Sequence, residues 1–168
     1  MGDPACWLDR VCDGCGQVVD DRDGQRRCPD CGTPSLTDGD YQALADFRAA
    51  LRAFLHASET AARAAGLTPT QHQLLLAIRG WSGDDSPGVT ELADRLQLQV
   101  HSTGELIARA EAAGLIERRE DPADRRRQRL SLAPDAERRL AALSAYHRDE
   151  LRSFRLRLRE VLDVLDPS

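Results

Sequence analysis

Lysine is absent from this sequence of 168 residues, so all 23 basic side chains are arginine. Aromatic residues make up only 4% of the chain, although apolar residues as a whole reach 41%. A core built from leucine and alanine with few aromatic side chains is typical of helical proteins. No segment approaches the roughly 18 consecutive apolar residues of a transmembrane helix, and the first residues lack the basic and apolar runs of a signal peptide. We therefore expect a mainly α-helical protein of the cytoplasm.

The net charge of −5 argues, taken alone, against a nucleic-acid partner. However, residues 1–40 contain nine Asp and four Arg and so carry all of this charge, whereas the rest of the chain balances 19 acidic against 19 basic residues. A local basic patch can therefore exist in the rest of the chain. We see no phosphate-binding loop and no pairing of a nucleophile with a base, so we expect no catalysis.

Cysteine is rare, but four of the five cysteines form two Cys-x2-Cys pairs that are separated by twelve residues: Cys12, Cys15, Cys28 and Cys31. Each pair directs two sulfur atoms at one ion, and the Gly that follows it suits the sharp exit from the turn. Four thiolates in a tetrahedron suit Zn²⁺. We therefore predict a ribbon over residues 1–33 that holds one structural zinc ion per chain. Its short strands are expected over 17–20 and 25–27.

Other chemistries for this cluster stay open. Two disulfides are the first alternative, although a reducing compartment disfavours them; redox-active thiols and iron are the others. The fifth cysteine, Cys6, is expected to be a free thiol in the N-terminal segment. Residues 34–40 are rich in turn-forming residues and are interpreted as a linker.

Helical periodicity begins at Tyr41 and predicts a domain over residues 41–168. We expect helices over about 41–65, from Pro69 through Trp81, over 91–96 with Thr90 as its cap, over 100–113, and over 134–165 with a bend near 147–149. Thr68 and Gln71 form a capping-box pattern around Pro69. Two strands are expected, at 115–120 and 127–132. His56 and His72 are interpreted as structural or exposed. The sequence neighbours His147, Asp149 and Glu150 are interpreted as a solvated face and not as a second metal site.

This order of elements predicts a winged helix-turn-helix, in which the helix over 100–113 enters the major groove and the hairpin forms a wing. The exposed face of this predicted recognition helix offers Gln99, His101, Ser102, Thr103 and Glu105 to base edges. It offers Arg109 to phosphate or to the protein itself. The wing carries four Arg within five residues. The predicted DNA contacts of the wing are these four arginines and one acidic residue: Asp124, Arg125, Arg126, Arg127 and Arg129.

Residues 40–165 resemble the MarR family of bacterial regulators, on the segments LTPTQHQLLLAI (67–78), VTELADRLQL (89–98) and LIARAEAAGLIERREDPADRRRQRLSL (106–132). The resemblance implies an obligate dimer, a pseudo-palindromic DNA operator and often release from it by a small phenolic ligand, an oxidant or a metal. It also implies that Arg126 enters the minor groove while Asp124 braces the wing. Two features depart from the family pattern: Gln99 replaces the usual Ser cap, and Val100 and Glu105 occupy positions that are often basic.

The two terminal helices carry more apolar surface than one small domain can cover, so we expect a homodimer built on them. The predicted contacts are Leu44, Phe47, Leu51, Phe154, Leu158, Val161, Leu162 and Leu165. The expected function is that of a dimeric regulator of transcription, most simply a repressor. Two alternatives stay open: a zinc or redox sensor in which the ribbon controls DNA binding, and a protein-interaction module that no longer binds an operator.

Overall fold

The computed structural model describes residues 11, 12, 14–18, 28, 30–33, 36, 38–83, 86–120 and 128–165. Five helices and two strands lie in these residues: α1 (Asp38–Ala64), α2 (Pro69–Arg79), α3 (Val89–Leu96), α4 (Val100–Ala112), β1 (Ile116–Glu120), β2 (Gln128–Leu132) and α5 (Pro134–Leu165). The expected mainly α-helical winged fold is confirmed. None of the described helices is both long and apolar enough to cross a membrane.

The chain divides into two compact units. One contains Met1–Ala49 and Arg157–Ser168, and the other contains Ala50–Leu156. In the first unit, an antiparallel bridge joins Val11 to Val18, and Ala43 and Val161 are buried. Most of the two predicted ribbon strands, like Cys6, lies outside the described residues.

The second unit has one apolar core, to which α2, α3, α4, β1 and α5 all contribute. Its most deeply buried side chains are Leu74, Leu75, Leu92, Ile107 and Thr103. The same face of α4 that the 3.6-residue period predicts is buried here, with Leu106, Ile107 and Ala110 in the core. This packing fixes the orientation of α4 and of the hairpin that follows it.

Local sequence signals explain several helix boundaries. Thr68 and Gln71 form the predicted capping box: the Gln71 amide donates to Thr68 Oγ1 at 3.2 Å, and the Thr68 amide donates to Gln71 Oε1 at 2.9 Å. Gly114, with φ of +68°, follows α4 and lets the chain turn directly into β1.

Two expectations about the helices are wrong. Thr90 does not cap α3, because the helix already begins at Val89 and its N-cap is Gly88. The interruption expected near His147 does not break α5, which is one continuous helix from Pro134 to Leu165. No proline or glycine interrupts α5 after its first residue, so the sequence offers no residue that would force a kink.

The strands β1 and β2 pair in antiparallel register, with Ile116 opposite Leu132, Arg118 opposite Leu130 and Glu120 opposite Gln128. Ile116 is buried, and Leu130 and Leu132 pack against the core. The hairpin is therefore attached to the domain at the end nearest Ile116, while its other end, which leads into residues 121–127, extends away from that attachment.

Candidate nucleic-acid interface and metal centre

The four cysteines predicted to bind zinc come together as one cluster. Their Sγ atoms all lie within 4.8 Å of one another. Cys12 Sγ is 3.5 Å from Cys31 Sγ, and Cys15 Sγ is 3.7 Å from Cys28 Sγ. These separations are far longer than the ~2.05 Å of a disulfide bond, and all four thiols are free. The geometry therefore favours a shared ion over paired disulfides.

The two cysteine turns have the same backbone geometry. The Cys12 amide donates to the Gln17 carbonyl and the Gly16 amide donates to the Cys12 carbonyl, each at 2.8 Å. Cys28 makes the equivalent pair of bonds with Thr33 and Gly32, again at 2.8 Å. Both glycines have positive φ, +71° and +70°, which only glycine adopts readily. The repeated Cys-x2-Cys-Gly sequence thus builds two equivalent knuckles.

Two of the six S–S separations match those of a tetrahedral zinc site. A tetrahedron of thiolates with Zn–S bonds near 2.3 Å has S–S edges of about 3.8 Å, which matches the 3.5 and 3.7 Å separations. The Gly14 amide points at Cys12 Sγ from 3.4 Å. Hydrogen bonds from the Thr33 side chain and backbone lower the pKa of the Cys31 thiol to about 6. The pKa of the Cys15 thiol is instead raised to about 12, because the lowering by a hydrogen bond with the Gln17 backbone is outweighed by hydrogen bonds with the other sulfurs and by desolvation. The cluster thus fits a divalent metal with four sulfur ligands.

Helix α4 presents most of the predicted base-contacting residues to solvent. Gln99, His101 and Glu105 are exposed, and Ser102 is half-buried. The Gln99 side chain makes no capping bond, so it is not committed to the helix end. Glu105 and Arg109 form an exposed ion pair at 3.4 Å. Glu105 and Arg109 are therefore paired with each other on α4, and neither is an isolated charge on this face.

Thr103 is the exception on α4. Its side chain is fully buried, and its hydroxyl donates to the Gln99 carbonyl at 3.1 Å. The expectation that Thr103 contacts bases from the exposed face is therefore wrong, whereas the helical period, which places Thr103 inward with Leu106 and Ile107, is confirmed. Thr103 lies one helical turn after Gln99, and that position turns inward because α4 packs with Leu106 and Ile107 in the core.

Two exposed apolar residues lie beside this face, and of the two only Val100 was singled out in the sequence, as a departure from the family pattern. Val100 is 51% exposed and Leu98 is 38% exposed, at the first turn of α4 and immediately before it. Helical spacing places Val100 in line with Thr103 and Ile107, which predicts burial, but the helix begins at Val100 and lies beyond the core at that end. Apolar side chains at such positions suit the methyl group of thymine.

The wing is described only at its base. Asp124, Arg125, Arg126 and Arg127 lie outside the described residues, so their predicted contacts stay predictions. Arg129 is exposed on β2, opposite Arg119. Arg118 pairs with Glu111 of α4 at 2.8 Å, and Arg119 pairs with Glu117 at 2.7 Å. The Arg118–Glu111 pair links the hairpin to the recognition helix.

The predicted dimer residues differ in exposure. Leu44 and Leu162 are exposed, at 43% and 51%. Phe47, Leu51, Phe154 and Leu158 are half-buried, and the Phe154 ring lies 5.5 Å from the ring of Phe54. Val161 is only 8% exposed, so it leaves little surface for a second copy. The side chain of Leu165 lies outside the described set.

A groove of about 390 Å³ lies between α1, α2, α3 and α4 in the second unit. The groove is lined by both apolar and polar side chains. The lining comes from four separate segments of the chain, so no local sequence pattern predicts the groove. Its lining residues are Leu55, Ser58, Glu59, Pro69, Thr70, His72, Gln73, Arg95, Leu96, Leu98 and Leu106.

Two histidines stack beside this groove. His72 is 2% exposed and His147 is 9% exposed, and their ring centroids are 4.9 Å apart. Neither Nε2 atom has a hydrogen-bond partner within the described part of the chain. Burial lowers the pKa of both imidazoles, although a hydrogen bond with the Ser58 backbone opposes the shift at His147. His147 is therefore a buried residue and not, as expected, part of a solvated face.

Comparison with known proteins finds similarity to the MarR family. The sequence profile described as the MarR family matches residues 65–127, and no curated protein matches the sequence. The chain is similar to the MarR family transcription regulator SP03579, with 29% identity over 68% of this chain and 74% of that chain and a TM-score of 0.56.

Two further solved structures share the fold. AbsC, a MarR family transcriptional regulator from Streptomyces coelicolor, is 22% identical over 79% of this chain and 93% of its own, with a TM-score of 0.59. A mutant of MepR from S. aureus, bound to an oligodeoxyribonucleotide, is 19% identical over 67% of this chain and 80% of its own, with a TM-score of 0.55. Residues 65–127 are thus similar in sequence to the MarR family, and the solved structures share the winged-helix fold of this chain.

Proposed function

We propose that this protein is a dimeric, sequence-specific DNA-binding regulator of transcription, most simply a repressor. The observation that carries the proposal is the outward face of α4, which is polar, projects from a fixed core and stands beside a two-stranded wing. This arrangement matches a helix-turn-helix whose second helix enters the major groove. The structure of the MepR mutant with an oligodeoxyribonucleotide supports the same use of this fold.

In this proposal the recognition helix and the wing have different roles. Gln99, His101 and Ser102 make hydrogen bonds to base edges in the major groove. The wing arginines, with Arg126 foremost, enter the minor groove, where they respond to its width and negative potential. Phosphate affinity depends mainly on the wing, because Arg109 of α4 is already paired with Glu105.

The test begins with duplexes that the wild-type protein selects from a random-sequence pool. Binding to the best duplex, measured by fluorescence anisotropy, should weaken steeply as the salt concentration rises. Arg126→Ala should weaken it by about tenfold or more, as expected for the loss of one well-placed arginine. Arg63→Ala is a matched control, because Arg63 is exposed and paired with Glu59 on α1. Failure to select any sequence, or equal effects of the two substitutions, would contradict the proposal.

The proposed dimer rests on exposed apolar side chains along the two terminal helices. On α1 these are Tyr41, Leu44 and Leu55; on α5 they are Tyr146, Leu151, Leu156, Leu162 and Val164. Each is 43–59% exposed. Burying side chains of this kind against a second copy removes apolar area from water, and a twofold interface uses the same residues on both chains.

Sedimentation equilibrium tests this assembly directly. The wild-type protein should sediment as a dimer at micromolar concentration. Leu162→Glu should shift it toward the monomer, whereas Ala108→Glu, at an exposed position on α4, should leave the dimer intact. A wild-type monomer, or a monomer produced by both substitutions, would argue against the terminal helices as the interface.

The groove is the part of the protein that we assign to a small-molecule effector. Its apolar floor and its polar rim, with Arg95 and Gln73, suit a molecule with an apolar body and a polar end. A panel of phenolic acids, screened for a rise in melting temperature and for release of the selected duplex, tests this assignment. A binder that raises the melting temperature should lose its effect in Leu98→Glu.

We propose that the cysteine cluster holds one structural zinc ion. A module this small buries too little apolar surface to fold alone, so metal binding supplies much of its folding free energy. Its excess of acidic residues makes a contact with DNA unfavourable. Elemental analysis should find one zinc per chain, and Cys28→Ser should abolish it.

The same variant separates a structural site from a sensing one. If the zinc is structural, Cys28→Ser and chelation of the wild-type protein should leave the melting of the helical domain and the affinity for the selected duplex unchanged. If either treatment released the duplex while the helical domain stayed folded, the ribbon would be a sensor. A stable protein partner without any selected duplex would favour the interaction module instead.

A further inference from the structure

Outside its pairing with β1, strand β2 has no neighbouring strand in the described residues. Leu130 lies at the middle of β2, opposite Arg118. In an antiparallel pair, alternate residues direct their amide and carbonyl groups away from the partner strand. At a half-buried position these outward groups need partners, because water reaches them poorly.

A single side chain satisfies both outward groups of Leu130. The Leu130 amide donates to Ser86 Oγ at 2.8 Å, and Ser86 Oγ donates to the Leu130 carbonyl at 3.2 Å. Ser86 belongs to the loop between α2 and α3 and is 44 residues away in sequence. One hydroxyl acts here as acceptor and donor, and so replaces the amide and carbonyl that a third strand would supply.

The residues around Ser86 prepare it for this role. Pro87 follows it and is buried, which holds the loop against the domain. A residue before proline is restricted to extended conformations, so the backbone of Ser86 is preset. Pro87 has no amide hydrogen, so the loop cannot continue a regular ladder of hydrogen bonds along β2. The side chain of Ser86 therefore makes the connection in place of the backbone.

We propose that Ser86 is a positioning residue for the wing: it ties β2 to the loop that leads into the helix-turn-helix, and thereby sets the direction in which the wing arginines reach DNA. The inference rests on the proposed DNA-binding function. It adds a residue that touches no nucleic acid and acts only through Leu130. Ser86→Ala keeps the loop and its proline but removes both hydrogen bonds.

Amide hydrogen exchange tests the anchor itself. In Ser86→Ala, the Leu130 amide should exchange about tenfold faster or more, because the local opening free energy falls when a hydrogen bond is lost. The core amides of α2 and α4 should keep their wild-type rates. Ser86→Thr retains a hydroxyl and should restore protection, whereas Ser82→Ala, an exposed serine of the same loop, should change nothing. Unchanged Leu130 exchange in Ser86→Ala would overturn the proposal.

A double-mutant cycle on the full-length protein tests whether the anchor acts through the wing. With the duplex selected by the wild-type protein, Ser86→Ala should weaken binding by about tenfold, and the same change in an Arg126→Ala background should have much less effect. Equal losses in both backgrounds would overturn the role in the wing. If Arg126→Ala itself binds like wild type, the proposed function fails, while the Leu130 exchange still decides whether the anchor exists.

Discussion

Thr103 offers the sharpest test of how the recognition helix is built. Its side chain is fully buried in the core, while its neighbour His101 is exposed on the same helix. The Thr103 hydroxyl donates to the Gln99 carbonyl at 3.1 Å, and the Thr103 amide donates to that carbonyl at 2.9 Å. Removing the hydroxyl therefore leaves the carbonyl with a partner. We predict that Thr103 supports the helix and makes no contact with bases.

The expected magnitudes follow from these contacts. A net hydrogen bond contributes about 0.5–1.5 kcal/mol, and burying the methyl group contributes about 0.8 kcal/mol. Thr103→Ala loses both and leaves a small cavity, so it should cost about 1.5–2.5 kcal/mol of unfolding free energy. Thr103→Val also loses the hydrogen bond, but its additional buried methyl group offsets most of that loss, so it should cost less than about 1 kcal/mol of unfolding free energy.

Urea unfolding at one fixed protein concentration measures both variants, since the stability of a dimer depends on concentration. For a chain of this size, the melting temperature of Thr103→Ala should fall by about 3–10 °C. Thr103→Val should bind the selected duplex within about twofold of wild type. His101→Ala should behave in the opposite way, with weaker binding and a change in stability below about 0.5 kcal/mol. A loss of base preference in Thr103→Val would refute the assignment.

Three further predictions concern the helical domain. Leu74→Ala should lower the free energy of unfolding by about 3–5 kcal/mol, because Leu74 is fully buried. Leu76→Ala, on the same helix but 42% exposed, should lower it by less than half as much. Equal losses of unfolding free energy, measured by urea unfolding, would contradict the core described above. Thr68→Ala breaks the capping box of α2 and should cost about 1 kcal/mol, while Thr68→Ser should be close to neutral in the same assay. Burial lowers the pKa of His72 and His147 below the ordinary 6.5, so below that pH the unfolded chain takes up more protons than the folded one. Stability should therefore decline as the pH falls from 6.5 toward the folded-state values, and a double variant with Gln at both positions should show a flatter profile between pH 7.5 and 5.

The features that the sequence predicted best depend on residues close together in the chain. The cysteine knuckles need only a Cys-x2-Cys-Gly run, and the two runs formed equivalent turns. The capping box of α2 spans four residues and formed as predicted. Helical periodicity identified the five helices of the described residues, because the spacing of apolar residues within each segment defines the apolar face of its helix. The hairpin was predictable for the same reason, since its two strands are close neighbours in the sequence.

Other features depend on residues that are distant in the chain, and only the tertiary structure decided them. Ser86 meets Leu130 across 44 residues, and His72 stacks on His147 across an even longer separation. Local spacing carries no information about either contact, because each depends on the angle and distance at which two elements pack. The groove is of the same kind, with walls from four helices.

The recognition helix shows where the boundary lies. Periodicity alone defined its inward face, yet it did not decide how far along the helix the core extends. Val100 shares that face and is exposed, whereas Thr103, one turn later, is fully buried. The sequence by itself thus predicted which elements form and that the four cysteines come together. The depth at which α4 sits on its neighbours, and hence which of its side chains can face DNA, was decided by packing between elements, which no local pattern encodes.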